Sequence, residues 1–318
     1  MFSTPILLVI YNRPDYTKQL VDVLRKIQPA SLFVASDGPK NEKDTVLTNE
    51  TKKVIEQIDW KCTVKTLYQE KNLGCGLGVS TAISWFFSQV ESGIILEDDC
   101  IPELTFFPFC ELLLKKYNDN EDVMMIGGSS WFSEETKVKY PYDYFFANIR
   151  PVWGWASWKR AWNKYVFNIT EEMLQKAEKN LVWKDITNKK LLKFRRDLLR
   201  DTYLKKVDTW DVQWDYCVSV NKGKTIIPIK NQISNIGIQG TNYSKKSTLT
   251  ELATYQINTS QIKHPEKTNI NTSFDSYYQN IEAKKFLSIN EPLARFYYNK
   301  SKYYALKALI FLKLKKKK

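Results

Sequence analysis

The chain has 318 residues, 43% of them hydrophobic and 14% aromatic, Gly and Pro are scarce at 11 each, and the formal net charge is +13. This reads as a soluble globular protein long enough for one large α/β domain with a smaller attachment. No apolar run reaches the roughly 18–20 residues that cross a bilayer, and five cysteines without a C-x-x-C pair suggest neither a disulfide framework nor a zinc site.

Residues 5–11 form an apolar run that predicts a first strand, not the h-region of a signal peptide. Asn12-Arg13-Pro14-Asp15 then makes a turn, and Leu20, Val23, Leu24 and Ile27 recur at helical spacing. A second strand is predicted over 31–36, stopped by Asp37-Gly38-Pro39, followed by a helix carrying Val54, Ile55 and Ile58 and a strand over 62–68. The stretch 72–78 holds Gly74, Gly76 and Gly78 and leads into a helix through Trp85 and Phe86. Its spacing matches neither the dinucleotide fingerprint nor a Walker loop. A tight turn is the expected role, the other reading being close approach to a phosphate at the helix N-terminus.

Gly93-Ile94-Ile95-Leu96 predicts a strand buried on both faces, and it runs into Glu97-Asp98-Asp99. Alternation sends Glu97 and Asp99 to one side and Asp98 to the other. Ligands of open α/β sheets lie beyond the carboxyl ends of the strands, and three adjacent anions call for a cation, a hard divalent metal being the usual answer. The competing reading is an acidic strand end that caps the next helix. Strand and helix alternate four times in about a hundred residues, so a mainly parallel, doubly wound sheet that binds a nucleotide is expected.

A helix over 106–117 and a buried strand over 123–128 follow. Trp153, Trp155, Trp158 and Trp162 then crowd into ten residues. Such a cluster is either core or a set of flat faces for a sugar ring. Polar helices are predicted over 170–180 and 188–205. In Asp208-Thr209-Trp210-Asp211-Val212-Gln213-Trp214-Asp215, helical spacing buries Trp210 and Trp214 and places Asp211 and Asp215 on a neighbouring face. An aspartate beside buried tryptophans has the makings of a general base, while Asp208 or Asp211 also suits a helix N-cap. A strand over 225–230 and a loop over 234–240 end this region.

These pieces together resemble a glycosyltransferase of the GT-A fold. They are similar both to the large family 2 of bacterial sugar transferases and to the N-acetylglucosaminyltransferase I family. The resemblance rests on Tyr11-Asn12-Arg13, Ser36-Asp37-Gly38, Glu97-Asp98-Asp99, Trp153-Gly154-Trp155 and Trp210-Asp211-x-x-Trp214 in that order, and covers about residues 3–240. It implies a GT-A fold, a Rossmann-like sheet flanked by helices, with a nucleotide-sugar-binding half at 1–128, an acceptor-binding and catalytic half at 129–245, and an extension at 246–318 ending in a helical tail. By the same resemblance Asp99 would hold manganese (or magnesium) against the diphosphate of a nucleoside diphosphate sugar. Asp98 would face the ribose, Glu97 the donor sugar, and Asp37 and Arg13 the base and phosphate side. Trp153, Gly154, Trp155 and Trp210 would line the sugar or acceptor site. Asp211 would be the base of an inverting transfer, with Asp208 and Asp215 as alternatives, since Val212 stands where the family has a second acid. The donor is expected to be a UDP-sugar and the acceptor a surface glycan or lipid-linked saccharide. His264, the lone histidine, is expected to be structural, although some members of this fold use a late histidine as a metal or phosphate ligand.

Residues 292–318 carry nine basic side chains and no acid. Interleaved with aromatic and aliphatic residues, they predict an amphipathic helix on an anionic membrane surface, and with the cysteine usage they predict a cytoplasmic protein peripheral to the inner face. Nucleic acid is not expected as a partner, because the charge sits in a terminal tail without a recognition motif. The rival functions are a nucleotidyltransferase, which would carry a Gly-rich basic loop after the first strand, and a non-catalytic carbohydrate-binding or membrane-associated protein, which needs neither Asp99 nor Asp211.

Overall fold

The computed structural model describes residues 1–130, 140–237 and 252–289. Strands β1 (Ile6–Ile10), β2 (Ser31–Ser36), β3 (Thr63–Tyr68) and β4 (Ser92–Glu97) alternate with helices α1 (Pro14–Ile27), α2 (Glu42–Glu56) and α3 (Gly74–Gln89). The short β5 (Cys100–Pro102), α4 (Phe106–Lys116) and β6 (Val123–Gly127) follow. After them come β7 (Tyr144–Ala147), β8 (Trp155–Trp158), α5 (Lys159–Trp162), α6 (Glu171–Glu178), α7 (Lys189–Tyr203), α8 (Asp211–Val220), β9 (Lys224–Pro228), β10 (Ile233–Asn235) and α9 (Thr272–Ile289).

Eight strands make one sheet in the order β3-β2-β1-β4-β8-β6-β9-β7. Pairing is parallel through β3, β2, β1 and β4 and between β6 and β9; only β8 and β7 run the other way. This is the mainly parallel sheet flanked by helices that the alternating elements predict. Alternation along the buried strands feeds two cores. Leu7, Phe33 and Ile95 face α3 and the later helices, whereas Ile6, Leu8, Val34 and Leu96 face α1, α2 and α4. The strands of residues 144–158 and 224–228 enter the sheet begun by the first hundred residues, so both halves share one backbone framework.

Strands β5, β7, β8 and β10 and helix α9 differ from expectation or go beyond it, β10 standing where a loop is expected. The tryptophan segment contains a sheet strand, β8, and Trp155, Trp158 and Trp162 are all under 5% exposed. The segments of β7 and α9 carry no sequence expectation. All four residues of β7, Tyr-Phe-Phe-Ala, are buried, a continuous apolar run with no alternation to mark it. Helix α9 is held by an apolar stripe, in which Phe274, Tyr278 and Ile281 pack on the core and the first two meet Phe145, and by buried polar contacts. Asp275 accepts from the Asn148 backbone at 2.8 Å and from its side chain at 3.1 Å, and Gln279 Oε1 accepts from Thr187 N at 2.9 Å. Arg195 lies 2.9 Å from Asp215 and 3.8 Å from Glu282.

All five cysteines are unpaired. Among the described residues no helix is long and apolar enough to cross a membrane. The basic segment of residues 292–318 and its expected membrane-surface helix lie outside the described residues.

Trp214 is fully buried, 5.2 Å from Trp162 and 5.7 Å from Trp155 between ring centroids. Trp214→Ala should lower the unfolding free energy by about 3–5 kcal/mol, measured by chemical denaturation. Burial pushes the Glu282 carboxyl up to about 7 against the pull of Arg195. A carboxyl raised above its ordinary value holds its proton longer when folded, so its stabilisation is complete below about pH 4.5 and is lost as pH rises through 7. The stability of Glu282→Gln relative to the wild type should therefore rise between pH 5 and pH 8, by roughly 2–3 kcal/mol of unfolding free energy measured by chemical denaturation.

Candidate functional site

Parallel pairing of β1 with β2 and β4 aligns their carboxyl ends: Ile10 stands beside Ser36, and Val9 beside Glu97. The segments that leave these strands, Tyr11-Asn12-Arg13, Asp37-Gly38 and Asp98-Asp99, therefore meet at one edge of the sheet. Arg13 precedes the proline that opens α1, a position where the helix dipole disfavours a cation. Two aspartates offset this. Arg13 Nη1 donates to Asp98 Oδ1 at 3.0 Å and to Asp99 Oδ2 at 2.8 Å. Burial works against the guanidinium charge, but Asp98 and Asp99 outweigh it and raise its pKa.

Asp98 is buried and also accepts from Tyr11 N at 3.1 Å. Burial pushes it up to about 6 despite Arg13. Strand β4 ends at Glu97 and Asp98-Asp99 form a turn, so the expected alternation does not continue through them and one Arg13 nitrogen reaches both aspartates. Burial, then the charges of Asp99, Asp98 and Asp211, push Glu97 up to about 8. One guanidinium thus leaves this cluster short of positive charge.

Asp99 is covered by a segment whose role the sequence did not reveal. Strand β10 pairs antiparallel with β5, setting Asn235 opposite Cys100. Asn235 Nδ2 donates to Asp99 Oδ1 at 3.3 Å, and Ile236 N donates to the Asp99 carbonyl at 2.8 Å. A Cβ on Gly237 would lie 2.3 Å from Asp99 Oδ2, so glycine is what admits the carboxylate there. A second set of unanticipated residues braces the first turn. Asp44 accepts from Tyr11 Oη at 3.0 Å and Asn12 Nδ2 at 2.8 Å, and these bonds, Asn12 foremost, hold its carboxyl below the usual range.

The N-terminus of α3 carries no free anion site, and of its glycines only Gly74, at φ +82°, makes the expected turn. The helix begins at Gly74, so Gly76 and Gly78 lie within it. Asp37 accepts from Leu73 N at 2.8 Å and Gly74 N at 2.9 Å, while Asp208 accepts from Cys75 N and Gly76 N, both at 2.9 Å. Two carboxylates thus take the four amides where a phosphate would have bound. Asp37 also accepts from Gly38 N and Asn72 Nδ2, so in this structure it serves as a cap and not as an open acceptor for a nucleobase. The glycine spacing follows from the same contacts. A Cβ on Gly74 or Gly76 would lie 2.4 or 2.6 Å from an Asp208 oxygen, and one on Gly78 3.3 Å from Asp37.

The three aspartates that compete for the base role have different surroundings. Asp208 caps α3. Asp215 is paired with Arg195 at 2.9 Å and Arg150 at 3.3 Å and accepts from Trp183 Nε1 at 2.8 Å. Asp211 has no cation partner among the described residues; Thr209 Oγ1 donates to it, and burial raises its carboxyl above the ordinary value. Asp211 and Asp215 both lie on α8, four residues apart as helical spacing predicts, but among the described residues only Asp215 is paired with arginines, so the two differ in their partners.

The expected sugar-facing tryptophans are largely core. Trp155 is 1% and Trp210 3% exposed, and their rings stack at 5.7 Å with an 18° interplanar angle. Only Trp153 of the set is partly exposed. Gly154 takes φ +58°, and a Cβ there would meet Ile233 at 2.4 Å, so it serves the turn into β8. His264 Nδ1 is 2.8 Å from Tyr144 Oη, which is 2.6 Å from Tyr117 Oη, at the sheet edge formed by β7.

No group of three His, Cys, Asp or Glu side chains among the described residues forms a metal cage. A hard cation held by one or two carboxylates and completed by phosphate and water does not require one, and the charge deficit at Glu97 and Asp99 fits such an ion.

No protein-family model matches the chain, and no curated protein matches it. Among solved structures, mouse xyloside xylosyltransferase 1 in its apo form aligns over 69% of this chain and 82% of its own, at 9% identity and a TM-score of 0.33. HddC from Yersinia pseudotuberculosis aligns over 41% of this chain at 12% identity and a TM-score of 0.28, and this chain spans 60% of its length. A UDP-glucose pyrophosphorylase complexed with UDP-glucose aligns over 41% of this chain and 64% of its own, at 11% identity and a TM-score of 0.24. These likenesses are distant, and the reading of the site rests on its own geometry.

Asp37 anchors four donors, so Asp37→Ala should lower stability by about 2–3 kcal/mol and Asp37→Asn by less, measured by urea denaturation.

Proposed function

We propose that the chain is a metal-dependent, inverting glycosyltransferase of the GT-A fold that moves a sugar from a nucleoside diphosphate, in our reading uridine diphosphate, to a hydroxyl of a glycan or lipid-linked saccharide. The observation that carries this reading is the meeting of Arg13, Glu97, Asp98 and Asp99 with Asp211 at the carboxyl edge of the sheet. Asp211 is the one aspartate of its segment that serves neither as a helix cap nor in an ion pair among the described residues.

In this reading Arg13 and Asp98 hold the phosphate and ribose side of the donor. Asp99 holds a divalent manganese or magnesium ion, which neutralises charge on the departing diphosphate when bound. Glu97 faces the donor sugar. The acceptor hydroxyl oxygen attacks the anomeric carbon as the bond from that carbon to the diphosphate oxygen breaks, and the electron pair leaves with the diphosphate. Asp211 takes the hydroxyl proton. Its raised pKa suits that task, because a base nearer the working pH accepts a proton more readily. One displacement inverts the anomeric configuration. The basic segment of residues 292–318 is read as the attachment to an anionic inner membrane face.

The test is thermal unfolding with a panel of nucleoside diphosphates, each with and without manganese. One diphosphate at about a hundred times its dissociation constant should add ~2.7 kcal/mol to the wild type only with metal, and Asp99→Ala should remove the effect. Asp211→Asn should keep that stabilisation and lose ~10²–10⁴-fold in transfer. A wild type that responds to no diphosphate would overturn the reading, and release of pyrophosphate from a nucleoside triphosphate and a sugar phosphate would make it a nucleotidyltransferase.

A further inference from the structure

We propose that Asp208 is a positioning residue for Asp211: it latches the turn of residues 208–211 onto the first turn of α3, so that the base is presented at the nucleotide edge of the sheet. The inference rests on the role given to Asp211 above.

Two contacts join the turn to α3 and a third carries the link to the base. Asp208 Oδ2 and Oδ1 accept from Cys75 N and Gly76 N, both at 2.9 Å, across more than 130 residues of sequence. The Thr209 carbonyl lies over the same helix, where a Cβ on Gly76 would come within 2.8 Å of it. Thr209 Oγ1 then donates to Asp211 Oδ1. Asp208, Thr209 and Asp211 thus form a relay from the cap of one helix to the first residue of the next.

The chemistry favours a carboxylate at this position. The first-turn amides of α3 carry the positive end of its dipole, and two of them converge on one side chain. Asp37 already serves the preceding two amides, so Asp208 completes the cap. Gly74 and Gly76 have no side chain to keep it away. Asp208 is exposed, whereas Trp210, two residues later, is 3% exposed and stacked on Trp155. The latch is therefore the outer end of a turn whose inner end is packed, and what it controls is the path of the backbone between them.

The test uses the full chain as wild type, Asp208→Ala, Asp208→Asn and Gly76→Ala, each checked for folding by circular dichroism. Gly76→Ala leaves Asp208 intact and blocks its seat. Hydrogen exchange read by mass spectrometry should be about 5–10-fold faster in Asp208→Ala, both in peptides covering 73–76 and in those covering 209–212, with Asp208→Asn intermediate. Gly76→Ala should accelerate 209–212 in the same way. With the donor returned by the diphosphate panel, Asp208→Ala and Gly76→Ala should lower kcat by roughly 10–100-fold and leave the donor KM within about twofold, because a base displaced by about 1 Å loses rate and not affinity. The acidic limb of the kcat–pH profile should move as well, which loss of a helix cap alone would not cause.

Faster exchange confined to 73–76, or unchanged kcat in both variants, would overturn the latch. A wild type without transferase activity but with the paired exchange response would instead count against the proposed function and leave the latch standing.

Discussion

Seven carboxylates lie at or near the carboxyl edge of β1, β2 and β4: Asp37, Asp44, Glu97, Asp98, Asp99, Asp208 and Asp211. An anion in such a place needs a donor or a cation, and the arrangement around this edge can be understood as the assignment of partners. Asp44 takes the side chains of Tyr11 and Asn12, and Asp37 and Asp208 take the amides of α3. Arg13 is shared between Asp98 and Asp99. Asp98 stays raised despite Arg13, and Glu97 and Asp211, with no ion pair among the described residues, are raised too, burial being the largest cause for each. The groups with the least neutralisation are those that the proposed chemistry needs for the sugar and for the proton.

This assignment also joins the two halves of the molecule. The sheet already passes through both, since β8 inserts between β4 and β6. Three further ties cross from late in the chain to early: Asp208 to α3, Asn235 to Asp99, and β10 to β5. Each is polar and near the site. The apolar tie is deeper, where Trp155, Trp162, Trp210 and Trp214 pack β8 against α8. Aromatic packing thus makes a rigid base for Asp211, and the hydrogen bonds adjust where it points.

A third layer holds the structure from behind. Arg150 and Arg195 converge on Asp215, and Glu282 of α9 stands at the edge of that network. Removing one member would leave a buried charge with no counterpart, whereas neutralising Glu282 removes a charge the interior disfavours. Burial raises the Glu282 carboxyl, so α9 brings a pH-dependent group to this network.

Local sequence patterns determined the first half of the fold almost completely. Short apolar runs define β1, β2 and β4, the β-branched and aromatic residues of the exposed edge strand define β3, the intervening segments define α1 to α3, and the chemistry-bearing residues Arg13, Asp37 and Glu97 to Asp99 follow from the rule that sites lie beyond strand ends. The acidic cluster and Asp211 were visible as residues, but their partners were not. Glycine shows the reason. Gly74, Gly76 and Gly78 signal that something comes close to the backbone, yet a turn, a phosphate and a distant aspartate all require the same missing Cβ. The tertiary structure alone decided that Asp208 and Asp37 fill that space, that Asn235 covers Asp99, and that Trp155 and Trp210 face each other. It also decided which of Asp208, Asp211 and Asp215 is left without a cap or a cation. Hydrophobic periodicity is written within a dozen residues of sequence, whereas the partner of a buried charge comes from wherever the chain brings a donor within about 3 Å.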